Sequence, residues 1–282
     1  MFQILSDRML APGIFEMIVE APYVARACAP GQFLIVRADR DGERIPLTIC
    51  DYDAEKGTVQ IVAQQIGAET YKMAHMHSGD CFADIVGPLG RPSDLLDEPL
   101  EALRKKSILF IAGGVGTAPV YPQLKWLHER GITADCIIGA KNKDYVILEQ
   151  EIGAVSNLYI TTDDGSYGRA GMVTKCLEDL WAEGKRYDHC VSIGPTIMMK
   201  FVCQLTAKLG IPTVVSMNTI MVDGTGMCGA CRLTVDGEVK FACVDGPEFD
   251  GHKVDFDQAM ARMRQYKAQE ETLYRKVQGV KA

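Results

Sequence analysis

Apolar and polar residues alternate in short runs through the first third of the chain. After Ser107 the pattern changes to wholly apolar runs separated by segments of helical spacing. Residues 14–20, 33–37, 45–50 and 58–63 are alternating segments bounded by Gly, Pro or Asp, at intervals that predict a small antiparallel β-barrel over residues 1–98. Residues 108–112, Ile-Leu-Phe-Ile-Ala, are apolar throughout, as a strand covered on both faces must be. A helix through residues 121–127 follows, then strands at 133–138, 158–161, 189–193 and 213–216. This β/α alternation predicts a doubly wound parallel sheet over residues 99–217. The charged stretch 98–106 reads as a short joining helix. Residues 232–243 read as strand, Asp236-Gly237 turn and returning strand. A cysteine-bearing loop unit is expected over 218–250, with a polar C-terminal helix over 251–282. Its helical run from 255 to 277 is either a solvated closing helix or a docking helix for another subunit.

With 282 residues, 47% hydrophobic and 24% charged, the chain can bury the cores of two domains and a small appendage. A formal net charge of -7 gives no electrostatic footprint for nucleic acid or an anionic membrane, so the expected partners are a small soluble molecule and other proteins. The first residues carry no secretory pattern and no stretch reaches membrane-spanning length, which predicts a cytoplasmic protein. Cys28, Cys50, Cys81, Cys136, Cys176, Cys190 and Cys203 are scattered among apolar residues, as small buried hydrophobes in a reducing compartment would be.

The other three cysteines carry chemistry. Asp223, Cys228, Cys231 and Cys243 reproduce the plant-type 2Fe-2S spacing, C-x4-C-x2-C…C, with aspartate at the first ligand position. Gly224, Gly226 and Gly229 suit a tight loop that aims backbone N–H groups at sulfur. Three thiolates and a carboxylate also suit zinc, and three unligated thiols in a turn are a further reading. Carboxylate is a harder ligand than thiolate, so Asp223 either ligates iron or caps the turn while Cys203 or Cys190 completes the set.

A second motif follows the apolar strand. Gly113, Gly114, Gly116 and Thr117 form a turn into a helix, where side-chain-free backbone lets N–H groups approach a pyrophosphate. Pro119 stands where G-x-G-x-x-G has its third glycine, and a ligand-free strand-to-helix turn is the competing reading. Asp163 and Asp164, with Gly194 and Pro195, lie at other predicted strand ends of the same sheet, where nicotinamide would sit; loop acids are equally common as solvated turn formers. Lys141 and Lys143 leave the choice of NAD or NADP open.

Taken together, Arg44-Ile45-Pro46-Leu47-Thr48, the G-x-x-T turn Gly67 to Thr70, Gly87-Pro88-Leu89-Gly90, the Gly113 turn and the C-terminal cysteine loop resemble the ferredoxin-NADP reductase superfamily. The resemblance is to the branch holding the electron-transfer subunit of class 1B dihydroorotate dehydrogenase and the small subunit of NADH-dependent reduced ferredoxin:NADP oxidoreductase. It implies an FAD-binding barrel, with Arg44, Pro46, Leu47, Thr48 and Ile49 around flavin and Gly67 and Thr70 at the FAD phosphates. Leu47 replaces the family's aromatic, and Arg44 stands one residue early. The implied cofactors are FAD, a 2Fe-2S cluster and NAD(H), with NADP(H) open. The implied partner is a larger iron-sulfur flavoprotein subunit, with ferredoxin served indirectly. Asp223 and the Arg-Ile-Pro-Leu-Thr run favour the bifurcating transhydrogenase, the dihydroorotate enzyme being the alternative.

Overall fold

A computed structural model describes residues 2–279. The first half comprises β1 (Phe2–Ala11), β2 (Ile14–Glu20), α1 (Pro22–Ala27), β3 (Phe33–Arg37), β4 (Ile45–Asp53), β5 (Thr58–Gln64), α2 (Ala68–Met73), β6 (Cys81–Phe82) and β7 (Asp84–Leu89). Its strands form one antiparallel sheet in the order β6-β1-β2-β5-β4-β3-β7. The edge strands β6 and β7 are separated in sequence by Ala83 alone, so the chain draws the two edges together into a near-closed barrel. Met17, Val19, Leu34, Val36, Val59 and Ile61 fill its interior at the two-residue period of a strand. Phe33 and Ile35, on the opposite face of β3, join a different core that contains Cys231 and Cys243. One strand thus supports the barrel on one side and the cysteine loop on the other.

After α3 (Leu100–Leu103) come β8 (Ile108–Gly113), α4 (Thr117–His128), β9 (Ala134–Ala140), α5 (Glu149–Gly153), β10 (Ser156–Thr162), β11 (Arg169–Ala170), α6 (Val173–Ala182), β12 (His189–Ile193), α7 (Thr196–Leu209) and β13 (Thr213–Ser216). Phe110 and Ala112 of β8 face the core on the α4 side, whereas Leu109 and Ile111 face the core of α6 and α7. Burial of both faces explains the uninterrupted apolar run. The sheet order is β11-β10-β9-β8-β12-β13-β16, parallel except for β16 (Glu248–Asp250), which adds antiparallel to β13. Residues 248–250, expected with the cysteine loop, therefore extend the parallel sheet.

The hairpin β14 (Arg232–Val235) and β15 (Glu238–Phe241) turns through Asp236 and Gly237, both at positive φ (53° and 76°), the geometry that Asp-Gly accommodates. The C-terminal run divides into α8 (Phe256–Met263) and α9 (Lys267–Val277). Asp255 caps α8 by accepting from Gln258 N at 2.9 Å. α8 packs on α7 and β14, while α9 has no buried residue and lies against α2 of the barrel. Among the described residues no helix is long and apolar enough to cross a membrane. Six of the scattered cysteines are buried, Cys81 is half-buried, and all seven are free thiols.

Candidate functional site

The cysteine loop runs from Met221 to Cys231 and is closed by β15. Gly224, Gly226 and Gly229 have φ of 85°, 90° and 67°, conformations that L side chains rarely adopt. A Cβ on Gly224 would lie 2.7 Å from Ile35 Cδ1, so the loop seats directly on the outer face of β3. Cys231 and Cys243 are buried with their sulfurs 3.2 Å apart, a pair able to share one metal ion. Cys228 is exposed and accepts from Ala230 N at 3.5 Å. The Ala230 and Asp223 N–H groups lower its pKa, whereas burial and the Cys231 contact push Cys243 up to about 12. Asp223 Oδ2 accepts from Thr225 N (2.9 Å), Thr225 Oγ1 (2.6 Å) and Met227 N (3.2 Å), which holds the carboxyl below the usual carboxylate range. Its Oδ1 accepts no hydrogen bond among the described residues, so the turn cap leaves one oxygen available.

No three His, Cys, Asp or Glu side chains converge on a single metal ion among the described residues. A two-iron cluster does not require that, since its four ligands divide between two irons. Three thiols, one spare carboxylate oxygen, inward N–H groups and glycines with positive φ fit a 2Fe-2S cluster in donor chemistry and loop shape. Cys190 lies within β12 in the core beneath α6 and α7, whereas Cys203 on α7 packs against Gly251 in the same core as Cys231 and Cys243.

β4 explains the interest of residues 45–49. Ile45, Pro46, Leu47 and Thr48 pair with β3, but pairing with β5 begins only at Ile49. One edge of residues 45–48 is therefore open, and these residues are half-buried where Ile49 and Cys50 are buried. An edge of this kind offers backbone donors and acceptors to a planar ring system. Arg44, expected at flavin, donates from Nε to Val222 O at 3.0 Å and from Nη1 to Asp84 Oδ2 at 3.1 Å. At the next turn Thr70 Oγ1 accepts from Ile66 N (3.1 Å) and Gly67 N (3.0 Å), closing the entry to α2. Glu69, buried between these two positions, accepts from Ala38 N and Glu43 N and so pins the loop before β4. Sequence reading passed over Glu69; an acid at an otherwise apolar first turn was its only signal.

In the α/β half, Gly113 and Gly116 are packing glycines. A Cβ on Gly116 would strike the Ile193 carbonyl, and one on Gly113 would lie 3.2 Å from Pro195 Cδ and strike Met198. Both let the β8–α4 turn meet the Gly194-Pro195 loop, and a Cβ on Gly194 would lie 3.1 Å from Gly113 N. Gly114 differs: its φ is 55° and the space a Cβ would enter is open. Thr117 heads α4 fully buried, with no hydrogen-bond partner for Oγ1 among the described residues. A buried unpaired hydroxyl beside an open glycine turn is what a bound phosphate group would satisfy. Asp163 and Asp164 cross to β9 through their N–H groups, to Ala140 O (3.0 Å) and Lys141 O (3.3 Å). The Asp164 carboxylate is engaged by Ser166 within its own turn.

Residues 218–255 match the family model described as the iron-sulfur cluster binding domain of dihydroorotate dehydrogenase B. The chain is 43% identical over 273 residues to a dihydroorotate dehydrogenase B (NAD(+)) electron transfer subunit homolog of Thermotoga maritima, covering 96% of this chain and 94% of that one. It is 33% identical to the dihydroorotate dehydrogenase B (NAD(+)) electron transfer subunit of Geobacillus thermodenitrificans, over 89% and 96% of the two chains. A chain from the structure of NADH-dependent reduced ferredoxin-NADP oxidoreductase, solved in a study of flavin-based electron bifurcation, superposes with a TM-score of 0.91 at 41% identity, over 98% of this chain and 97% of that one. The chain thus belongs to the family of dihydroorotate dehydrogenase B electron transfer subunits and their homologues.

Proposed function

We propose that this protein is the NAD(H)-linked electron-transfer subunit of a ferredoxin-dependent, electron-bifurcating NADH/NADP transhydrogenase. The chain-long likeness to the NADH-dependent reduced ferredoxin-NADP oxidoreductase chain carries this reading. When bound, FAD supplies the link between two-electron hydride chemistry and one-electron transfer through a 2Fe-2S cluster. The chain's own residues set the order. The open turn at Gly114 and the orphaned Thr117 hydroxyl receive the nucleotide pyrophosphate, with Gly194 and Pro195 alongside. The free edge of residues 45–48 receives the flavin ring, and Gly67 to Thr70 its phosphates. Asp223, Cys228, Cys231 and Cys243 hold the cluster. β3 pairs with β4 and carries the cysteine loop on its outer face, so the proposed flavin edge and the cluster share one rigid strand. Exposed Cys228 makes the cluster the exit toward a larger iron-sulfur flavoprotein subunit, through which ferredoxin is reached. Seven free thiols suit a cytoplasmic setting.

Purified protein tests this directly. The expected preparation shows flavin absorbance bleached by NADH, a rhombic 2Fe-2S EPR signal on reduction and about two irons per chain. A colourless protein containing zinc would overturn it. The dihydroorotate reading rests on the family model over residues 218–255 and on the relatives named for dihydroorotate dehydrogenase B at 43% and 33% identity. A native partner that oxidises dihydroorotate would establish that reading instead.

A further inference from the structure

Four arginines from separate parts of the chain donate to main-chain carbonyls around the cysteine loop. Arg44 Nε reaches Val222 O at 3.0 Å, Arg232 Nη1 reaches Gly229 O at 3.0 Å, Arg262 Nη2 reaches Ala230 O at 3.1 Å, and Arg91 Nε reaches Val244 O at 3.3 Å. Arg44 is partly neutralised by Asp84, whereas the other three form no salt bridge among the described residues.

The carbonyls matter because of what lies on the other side of each peptide. A trans peptide carries its C=O and N–H in opposite directions, so a donor that holds the oxygen outward turns the hydrogen inward. Gly229–Ala230 does this: Arg232 holds the Gly229 oxygen while Ala230 N lies 3.5 Å from Cys228 Sγ. Arg44 holds the Val222–Asp223 peptide, which leads into the first ligand position. Arg91 holds a peptide of the other kind, for the Asp245 N–H bonds Phe241 O at 2.8 Å and leads to no sulfur.

We infer that Arg232 is a positioning residue that sets the reduction potential of the cluster, by fixing and polarising the peptide whose N–H faces Cys228. A charged donor on a carbonyl strengthens the hydrogen bond given by the same peptide. An N–H directed at a ligand sulfur favours the reduced, more negative cluster. The bare charges of exposed guanidinium groups are screened by salt. The peptide effect is local and survives it. The inference rests on a 2Fe-2S cluster at Cys228, Cys231 and Cys243.

The test is an EPR-monitored redox titration of the flavin- and cluster-loaded chain at low and high salt, with iron and flavin measured on each variant. Arg232→Met is expected to move the cluster midpoint to more negative potential and to alter the g-values. Arg91→Met removes the same charge without touching a sulfur-directed peptide, and is expected to give a smaller shift that fades in salt, with g-values unchanged. Arg232→Lys keeps a charged donor able to reach the Gly229 carbonyl, and is expected to lie between Arg232→Met and wild type at both salt levels; it carries the comparison if Arg232→Met does not load iron. Equal shifts for Arg232→Met and Arg91→Met, or no shift in either, would overturn the inference. A wild-type preparation without a 2Fe-2S signal would instead overturn the cluster reading beneath it.

Discussion

Gln123 Nε2 donates to Glu248 Oε1 at 2.6 Å, and Ser93 Oγ donates to Gln123 Oε1 at 3.1 Å. Ser93 lies at the exit from the barrel, Gln123 on α4, and Glu248 at the start of β16 just beyond the cysteine loop. One buried polar chain thus joins the three units whose spacing electron transfer needs. Ser93 and Gln123 are 1% exposed, so this junction is shielded from water and its hydrogen bonds cannot be exchanged cheaply.

Burial pushes the Glu248 carboxyl up to about 7, against the opposing effect of its Ser93 and Gln123 contacts. A carboxyl whose folded pKa is raised binds its proton more tightly in the native state than in the unfolded one. Stability therefore falls as pH rises from about 4.5 to about 7 and is level above, as far as this group is concerned. Glu248→Gln retains the hydrogen-bonding shape without the charge. Denaturant unfolding should find the variant more stable than wild type at pH 8, by about 3 kcal/mol, and much closer to it at pH 5. Parallel stability profiles for the two proteins across this range would remove the assignment.

The two central glycines of the β8–α4 turn should part company on substitution. Gly116→Ala would drive Cβ into the Ile193 carbonyl and to 2.7 Å from Gly194 Cα, both backbone atoms that cannot step aside. A loss of about 2–3 kcal/mol of stability is expected from such overpacking. Gly114→Ala meets open space and costs about 1 kcal/mol for its left-handed backbone. Its effect should be on ligand: NADH affinity reduced roughly tenfold, about 1.4 kcal/mol, with flavin content unchanged. Calorimetric binding of NADH and thermal unfolding separate the two variants, and unaltered NADH affinity in Gly114→Ala would displace the pyrophosphate from this turn.

What could be read from the sequence was local. The apolar run of β8 announced a strand covered on both faces, and Asp236-Gly237 announced a hairpin, because each pattern contains its own physical cause. β1 was silent because most of its residues are exposed and only Ile4 and Ala11 are buried. β16 was silent because three residues carry too little pattern to assign, and only its docking on β13 makes it a strand. At the site, the cysteine spacing and glycine turns were legible as motifs. The contact of Arg44 with Val222 joins residues 178 positions apart, and nothing in the local composition of either foretells it.

α9 offers a third test. It has no buried residue, yet Tyr274 OH donates to Gln65 O at 3.4 Å and its ring meets Tyr71 edge-on, 5.9 Å between centroids. Gln65 and Tyr71 flank the Gly67 to Thr70 turn proposed for the FAD phosphates. Tyr274→Ala removes both contacts and should speed FAD release several-fold, for a loss of about 1 kcal/mol. Tyr274→Phe keeps the ring and gives up only a long hydrogen bond, so it should stay near wild type. Flavin fluorescence on dilution reads the release directly; identical rates for Tyr274→Ala and wild type would leave α9 without a part in holding the cofactor.

Asp223 can be tested against itself, because its two oxygens have different circumstances. Oδ2 is committed to Thr225 and Met227, while Oδ1 is open. Asp223→Asn preserves an oxygen for the turn but replaces an anionic ligand with a neutral one. If Asp223 only caps, iron content and the EPR spectrum stay as in wild type. If it ligates, the spectrum changes and iron is held less firmly. Asp223→Cys makes the opposite exchange: it gives up the carboxylate cap and completes an all-thiolate set, the softer donor that iron-sulfur chemistry favours. A retained 2Fe-2S cluster with altered g-values and midpoint is expected. The two variants together separate the roles, since a pure cap predicts Asn silent and Cys destabilised with an unchanged spectrum, whereas a ligand predicts that both spectra move.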